Sequence, residues 1–430
     1  MNYYSTNNIH HRVNLKEAVL QGLAPENGLY MPEQIPVLSK AFFENLSHLS
    51  FQEIGFAVAK NLIGDDLPEE ELKRIVDQTI QFDAPLVEIE KNIYSLELFQ
   101  DPTLAFKDFG ARFLSGLLGY FAKKQEKEIT ILVATSGDTG SAVANGFHNV
   151  LGTRVIVLYP SGKVSEIQEK QFTTLGGNIT ALEIDGTFDD CQWLVKQAFM
   201  DEYLKQKLFL TSANSINIAR LIPQSFYYFY AFAQLKEKSV VFSVPSGNFG
   251  NLTAGLLAKR MGLPIHQFIA ATNQNDIVPE YLTTKLFSPR PSVQTISNAM
   301  DVGNPSNFAR MLDLYQNNFE GLSKDVVGCH YSDEQTSDAM RAVFKNKNYT
   351  LDPHGAIGYL GLKDSLKSNA NAVGVFLETA HPAKFKETVE AAIGTAVSIP
   401  ERLQKFLIGE KQSIRMGKEF GELKEFLICL

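Results

Sequence analysis

The stretch EITILVATSGDTGSAVANGF (residues 128–147) joins a run of apolar and β-branched residues to a glycine-rich loop and then to a helical pattern. Strands without polar alternation are typical of a parallel sheet that is covered by helices on both faces. Other runs of the same kind lie between helical patterns: NIYSLELF (92–99), TRVIVLYP (153–160), ITALEIDG (179–186), LFLTS (208–212), SVVFSVP (239–245), HQFIAAT (266–272) and NAVGVFLET (371–379). We therefore predict an α/β fold whose ligands bind beyond the carboxyl ends of the strands.

The composition excludes several classes of protein. The 430 residues suffice for roughly two to three domains, and 44% apolar with 20% charged residues indicate a globular chain. The net charge of −8 argues against general binding to nucleic acid or to an anionic membrane. No run approaches the ~20 apolar residues of a membrane helix, and the N-terminal residues do not resemble a signal or transit peptide. We expect a cytoplasmic protein.

The sequence also lacks the motifs of several common sites. The three cysteines are far apart, which argues against a disulfide framework, and no Cys/His cluster or H-E-x-x-H has the spacing of a metal site, so we expect no metal. No G-x-G-x-x-G follows a strand, and no Walker-type loop or G-x-S-x-G is present. These absences disfavour a dinucleotide site and a plain nucleotide-phosphate binder.

The PSGNFGN loop (residues 245–251) follows one predicted strand and precedes the helical run LTAGLLAKRMG. Gly247 and Gly250 allow a ligand to approach the backbone, and the start of the helix offers free N–H groups. These features suit one phosphate group. An ordinary strand-to-helix turn is the alternative for the motif taken alone.

The TSGDTGSA loop (residues 135–142) stands in the same context. Its hydroxyl groups and glycines, Ser136, Gly137 and Thr139 among them, suit a carboxylate or a phosphate at the start of a helix. Asp138 is unusual in an anion site. It either caps the helix, points away from the ligand, or faces a protonated group.

Lys107 lies in LAFKDFGARF (residues 104–113), where a helical pattern begins between Phe106 and Phe109. A lysine among aromatic residues is often a surface residue whose stem lies on apolar neighbours. A lysine that is partly removed from water at the start of a helix is instead a potential amine nucleophile, able to form a Schiff base with an aldehyde cofactor.

Together these three motifs meet the needs of pyridoxal phosphate acting on an amino acid: a Schiff-base lysine, a backbone site for the phosphate group and a loop for the substrate carboxylate. Thr379, at the end of the run VGVFLET, offers a neutral hydroxyl to the pyridine nitrogen. A threonine that merely ends a strand is the alternative.

The chain resembles the threonine synthase family, in the group with a long N-terminal segment. The resemblance is carried by GLAPENGLYMPE, LAFKDFGARF, ATSGDTGSA, TSANSINIAR, VPSGNFGN, SNAMDVGNPSN and ETAHPAKFKE, which run in order from about residue 22 to residue 390. Single motifs such as TSG-x-TG are shared with cysteine synthases and with threonine or serine dehydratases.

The resemblance implies the fold type II of pyridoxal-phosphate enzymes, similar to tryptophan synthase β: two parallel-sheet α/β lobes and a mainly helical N-terminal domain. The implied boundaries are 1–90 for the N-terminal domain, 91–235 for the lobe with the lysine, 236–400 for the second lobe, and 401–430 for a helical tail. The implied partner is O-phospho-L-homoserine, with no nucleic acid and no membrane, in a monomer or a homodimer.

The resemblance also implies roles for individual residues. Lys107 would bind pyridoxal 5'-phosphate, and Thr379 would face its pyridine nitrogen. The cofactor phosphate would be held by Ser246, Gly247, Asn248, Phe249 and Gly250. The substrate carboxylate would be held by Ser136, Gly137 and Thr139, and Asp138 is counted among the substrate-binding residues. The substrate phosphate would be held by Asn214, Ser215, Asn217 and Arg220, with Lys163 and Lys384 as weaker candidates for charge near the anions.

Two departures from the family pattern concern this site. The family commonly has His-Gly before PTLAFKD, where this chain has Gln100 and Asp101. Relatives often have asparagine at the position of Asp138. Two other functions stay open: a dehydratase of threonine or serine, which needs no phosphate site and hence no Arg220, and a catalytically silent binder of phosphorylated ligands.

Overall fold

A computed structural model describes residues 1–123, 125, 127–235, 239–368 and 372–430. The chain forms two compact units, and each unit combines separated segments. The first unit consists of Met1, Met31–Phe106 and Leu221–Ser398, and the second of Asn2–Tyr30, Lys107–Arg220 and Ile399–Leu430. The boundaries 1–90, 91–235, 236–400 and 401–430, which divide the chain in sequence order, stay a prediction.

The first unit contains a six-stranded sheet. All its neighbouring strands are parallel except the last pair, which is antiparallel. The strand order is Val326–His330, Ile265–Thr272, Val240–Pro245, Val373–Glu378, Ile93–Glu97 and Leu86–Glu90. The central strands are buried along their whole length because helices cover both faces.

Several helices of the first unit begin at a side-chain cap. Ser50 and Glu53 form a capping box before Phe51–Ile63, and Asp352 caps Pro353–Leu366. The other α-helices are Lys40–Asn45, Glu69–Thr79, Phe226–Leu235, Gly250–Arg260, Ile277–Thr284, Phe308–Leu314, Phe319–Asp325, Asp333–Lys347 and Lys386–Ile393. Short 3₁₀ turns span Leu46–His48, Ile222–Ser225, Asn298–Met300 and Pro382–Phe385.

The second unit contains a five-stranded sheet in which all strands are parallel. Its order is Ile414–Met416, Ile179–Ile184, Thr153–Pro160, Ile129–Ala134 and Phe209–Ser212. The strands Asn2–Ser5 and Asn8–Asn14 form an antiparallel pair, and a short strand spans Tyr30–Pro32. The helices are Leu15–Gln21, Lys107–Ala122, Asp138–Phe147, Glu166–Thr173, Phe188–Met200, Glu202–Lys207, Ile218–Leu221, Glu401–Leu407 and Phe420–Ile428.

The predicted α/β class with parallel sheets is confirmed, and every apolar run quoted above overlaps a strand of the six-stranded or the five-stranded sheet. Asn371, at the start of the run 371–379, lies outside the described residues. The strands Leu86–Glu90, Val326–His330 and Ile414–Met416 were not predicted, because polar or charged residues interrupt them and they lie at or near sheet edges. Within the described part of the chain, no helix is both long and apolar enough to span a bilayer.

A buried carboxylate holds the C-terminal segment on the sheet of the second unit. Lys411 Nζ lies 2.8 Å from a carboxylate oxygen of Glu183, and Ser413 Oγ donates to the same carboxylate at 3.1 Å. Ser161 Oγ donates to its other oxygen at 2.6 Å. Burial by itself raises the pKa of Glu183, but the hydrogen bonds from Lys411 and Ser161 outweigh burial and lower this pKa to about 2. The strand Ile414–Met416 is therefore fixed by ionic contacts as well as by backbone pairing.

We expect Glu183→Gln to lower the free energy of unfolding at pH 7 by about 1–3 kcal/mol, because the charged hydrogen-bond acceptor is lost. The folded-state pKa of Glu183 lies below its ordinary value of 4.5. Its stabilisation is therefore complete above about pH 4.5 and disappears as the pH falls towards 2. Urea unfolding at several pH values measures both effects. Glu425→Gln, at an exposed position, is the control, and an equal stability of both variants at pH 7 contradicts the prediction.

Candidate active site

Lys107 is the first residue of the helix Lys107–Ala122, and its side chain is 16% exposed. A tight turn precedes it. Within this turn Asp101 Oδ1 accepts a hydrogen bond from Ala105 N at 2.8 Å, and Leu104 has a positive φ of 57°. A non-glycine residue in this region is strained and needs support from its surroundings. Asp101, one of the two departures from the family pattern, is thus a buried residue that stabilises the turn before Lys107.

The turn is held against the segment that follows the strand Val373–Glu378. Phe106 N donates to Thr379 O at 2.9 Å, and His381 N donates to Leu104 O at 3.0 Å. Lys384 Nζ donates to Thr103 O at 2.8 Å. These backbone contacts determine the course of the chain up to Phe106, the residue directly before Lys107.

Lys384 and Lys163 differ in their surroundings. Lys384 is 1% exposed and bonds a backbone carbonyl, so its described contact is a structural one. Lys163 is exposed. Their predicted roles near the anions stay predictions.

In the first unit the PSGNFGN loop joins the strand Val240–Pro245 to the helix Gly250–Arg260. A Cβ atom on Gly247 would lie 2.8 Å from Met300 Cα and 2.9 Å from Ala299 O. Only glycine fits against this backbone. Phe249 has a positive φ of 60° and directs the chain into the helix, whose first N–H groups form the positive end of the helix dipole.

Two asparagines stabilise this loop from opposite sides. Asn248 Oδ1 accepts hydrogen bonds from Ser306 N and Ser306 Oγ at 3.3 and 3.2 Å. Asn251 Oδ1 accepts from the buried hydroxyls of Tyr227 and Tyr228, each at 2.7 Å. Among the described residues Asn251 Nδ2 is buried without a hydrogen-bond partner. An amide donor left in this state fits an anion that the chain itself does not supply.

In the second unit the TSGDTGSA loop has Gly137 at a φ of 137°, before the helix Asp138–Phe147. Thr135 Oγ1 accepts hydrogen bonds from Gly137 N and Gly140 N at 2.9 and 2.7 Å. Thr135, Gly137 and Asp138 are buried, whereas Ser136 and Thr139 are partly exposed. Ser136 and Thr139 are therefore the residues of this loop that stay partly open to solvent.

Asp138 lies beside the side-chain amine of Lys107. Its Oδ2 lies 3.9 Å from Lys107 Nζ. Its Oδ1 accepts a hydrogen bond from Gln168 Nε2 at 2.8 Å. Sequence reasoning missed Gln168, which is 1% exposed, since nothing local in the sequence distinguishes it from other glutamines of an amphipathic helix.

The segment 214–220 is mainly buried, and two of its asparagines bond the backbone. Asn214 Nδ2 donates to Ala134 O at 2.9 Å. Asn217 Nδ2 donates to Val19 O at 2.9 Å and to Ser212 O at 3.2 Å, so both of its donor hydrogens are used within the chain. These contacts give the two residues structural roles. Their predicted contacts with substrate stay predictions.

Arg220 is 3% exposed, so it is not a surface arginine. Its Nη1 donates to Ala213 O at 2.5 Å. Burial lowers the pKa of Arg220 to about 10, and the carboxylate of Asp108 opposes this effect. The guanidinium remains charged at neutral pH in a site that is largely removed from water. Ser215, in the same segment, is partly exposed.

The comparisons with known proteins agree over the whole chain. Residues 2–80 match the family model for the threonine synthase N terminus, residues 79–378 match the model for pyridoxal-phosphate dependent enzymes, and residues 355–427 match the model for the threonine synthase C-terminal region. The threonine synthase of Haemophilus influenzae is 48% identical to this chain over 431 residues, which covers 100% of each protein.

Solved structures give the same result. The crystal structure of threonine synthase from Escherichia coli has a TM-score of 0.94 and 45% identity, and it covers 100% of both chains. The pyridoxal-phosphate-bound threonine synthase from Brucella melitensis has a TM-score of 0.92 and 34% identity, and it covers 99% of this chain and 98% of that one. This chain belongs to the threonine synthase family, within the fold type II group of pyridoxal-phosphate-dependent enzymes.

Proposed function

We propose that this chain converts O-phospho-L-homoserine and water to L-threonine and phosphate, with pyridoxal 5'-phosphate as its cofactor. The match to threonine synthases over the full length is the observation that carries the proposal. The reaction is the loss of phosphate from Cγ followed by the addition of water at Cβ.

The residues present fit the cofactor. The PSGNFGN loop offers the start of a helix, the buried donor Asn251 Nδ2, and Gly247, at which there is no room for a Cβ atom. These groups suit a phosphate. We assign the phosphate to Ser246, Gly247, Asn248, Phe249 and Gly250, and the aldehyde carbon to Lys107 Nζ. When bound, pyridoxal phosphate stabilises negative charge that develops on the substrate carbons next to the amine.

Lys107 is the residue that moves protons in this proposal. Lys107 Nζ would hold the aldehyde carbon of the cofactor in the absence of substrate, and as a free amine it would take the proton from Cα of the bound substrate. The mostly buried position of the amine, beside the carboxylate of Asp138, supports this role because few water molecules reach it.

Thr379 offers a neutral hydroxyl to the pyridine nitrogen and leaves this nitrogen without a proton. The hydrogen bond from Phe106 N to Thr379 O supports the assignment, since Lys107 follows Phe106 directly in the chain. Thr379 is 6% exposed, so its hydroxyl is shielded from bulk water.

The substrate is held at its two ends. We assign its carboxylate to Ser136, Gly137 and Thr139 of the TSGDTGSA loop, two of which keep reachable hydroxyls. We assign its phosphate to Ser215 and Arg220, since a guanidinium binds a phosphate through two parallel hydrogen bonds. Asn214 and Asn217 support these two residues through the backbone bonds described above.

The match to threonine synthases favours this reaction over deamination of threonine or serine. A dehydratase does not need a buried arginine for a substrate phosphate. Assays with O-phospho-L-homoserine and with L-threonine distinguish the two reactions. A monomer or a homodimer, and a cytoplasmic location, stay predictions.

We expect Lys107→Ala to abolish the formation of threonine from O-phospho-L-homoserine without changing the far-ultraviolet circular dichroism. In the unchanged protein, reduction with borohydride followed by peptide analysis is expected to find a pyridoxyl group on Lys107. Lys123→Ala, at an exposed position just after the same helix, is the control. Threonine formation by the Lys107 variant refutes the assignment.

We expect Arg220→Lys to raise the KM for O-phospho-L-homoserine about ten-fold or more, because an ammonium lacks the forked donors of a guanidinium. Initial rates of phosphate release measure this change. Arg415→Lys, at a side chain that is 81% exposed, is the control. An unchanged KM, or faster deamination of L-threonine than consumption of phosphohomoserine by the unchanged protein, contradicts the proposal.

We expect Gly247→Ala to weaken the binding of pyridoxal 5'-phosphate about ten-fold or more, since the new Cβ displaces backbone at Ala299 and Met300. Absorbance titration of the full-length protein, freed of its cofactor, measures the affinity. Gly421→Ala is the control because the space around its Cβ is open. An unchanged affinity in the Gly247 variant shows that this loop does not hold the phosphate.

A further inference from the structure

Asp352 and His354 form a buried pair in the stretch LDPHGAIG (residues 351–358), which has no part in the assignments above. Both residues lie at the start of the helix Pro353–Leu366, and they are 0% and 3% exposed. Asp352 Oδ1 lies 2.5 Å from His354 Nδ1, and it also accepts a hydrogen bond from His354 N at 2.8 Å. A cap that satisfies the helix start through its backbone would not by itself require a histidine.

The second ring nitrogen of His354 determines the position of the proton. Ala299 N donates a hydrogen bond to His354 Nε2 at 3.3 Å, so Nε2 carries no proton. A neutral imidazole has one N–H, which must then be at Nδ1 and donate to Asp352. His354 therefore connects the capped helix to the 3₁₀ turn Asn298–Met300.

This turn lies directly against the PSGNFGN loop. Ala299 O and Met300 Cα occupy the space into which a Cβ on Gly247 would project. On its other side the turn is held by Asp301, whose carboxylate accepts hydrogen bonds from Thr295 N at 3.0 Å and from Asn273 Nδ2 at 2.9 Å. His354 and Asp301 thus both attach the backbone beneath Gly247 to neighbouring segments.

Two titratable groups, Glu378 and His381, interact with Asp352. Glu378 Oε1 accepts a hydrogen bond from Asp352 N at 2.6 Å. Burial, reinforced by the charge of Asp352, raises the pKa of Glu378 well above its usual range. Burial lowers the pKa of His381 to about 4, against the attraction of Asp352. Neither Glu378 nor His381 therefore places a charge beside Asp352 and His354 at pH 7.

We propose that His354 is a positioning residue for the cofactor phosphate. Its Nε2 accepts the hydrogen bond from the Ala299 amide and so fixes the backbone of residues 299–300. This backbone in turn fixes the position of Gly247, at which the N–H groups of the loop can bind the phosphate. The inference rests on the proposed function, because it takes residues 246–250 as the phosphate site. His354 has no contact with reacting atoms in this role.

The test compares two substitutions that each keep one of the two hydrogen bonds. In His354→Gln an amide oxygen reaches the position of Nε2 and accepts from Ala299 N. In His354→Asn the shorter amide reaches only the position of Nδ1 and donates to Asp352. Absorbance titrations of the full-length protein, freed of its cofactor, give the affinities for pyridoxal 5'-phosphate and for pyridoxal, which lacks the phosphate.

The quantity compared is the affinity for pyridoxal 5'-phosphate divided by the affinity for pyridoxal. We expect His354→Gln to keep this ratio within about three-fold of the wild-type ratio. We expect His354→Asn to lower the ratio about ten-fold or more, through weaker binding of pyridoxal 5'-phosphate and unchanged binding of pyridoxal. If His354→Asn does not fold, as judged by circular dichroism, His354→Leu takes its place, since leucine also lacks the acceptor.

Three results overturn the inference. An unchanged ratio in His354→Asn, or an equal loss for both ligands, excludes a role in phosphate positioning. A ratio that falls equally in His354→Gln excludes the Ala299 hydrogen bond as its basis. If the unchanged protein binds both ligands equally well, the proposed phosphate role of residues 246–250 fails as well, whereas the first two results leave that role intact.

Discussion

The hydrogen bond from Phe106 N to Thr379 O is the contact on which the proposed chemistry depends. It joins the backbone directly before Lys107 to the end of a central strand, about 270 residues later in the chain. The turn at residues 101–106 contains a strained Leu104, which persists because neighbouring backbone and side-chain bonds hold it on both sides. The backbone directly before Lys107, at the start of its helix, is therefore held in one conformation.

Both glycine-containing loops follow from one property of parallel α/β structure. Each strand is buried along its length, so the chain leaves the sheet only at the carboxyl end and turns at once into a helix. The first N–H groups of that helix have no partner within it. In the PSGNFGN loop Gly247 fits against a neighbouring backbone, and in the TSGDTGSA loop the Thr135 hydroxyl accepts two backbone N–H groups.

Buried polar groups near the end of the strand Val373–Glu378 have to be neutral or paired, because an unpaired charge in such a place is costly. Asp352 meets the requirement through the hydrogen bonds of a helix cap and of His354. Lys384 meets it through a backbone carbonyl in the turn before Lys107. Lys384 thereby connects two segments of the first unit that are far apart in the chain.

The order of residues was sufficient to predict the parallel sheets, the helix start at Lys107 and the two loops, because apolar runs, glycines and helix starts act over a few neighbouring residues. Tertiary structure alone decided which way Asp138 faces, that Asn217 bonds Val19, and that His354 bonds Ala299. Each of these contacts joins side chains or backbone from segments that are far apart in the chain, and only packing brings such segments within the short range of a hydrogen bond.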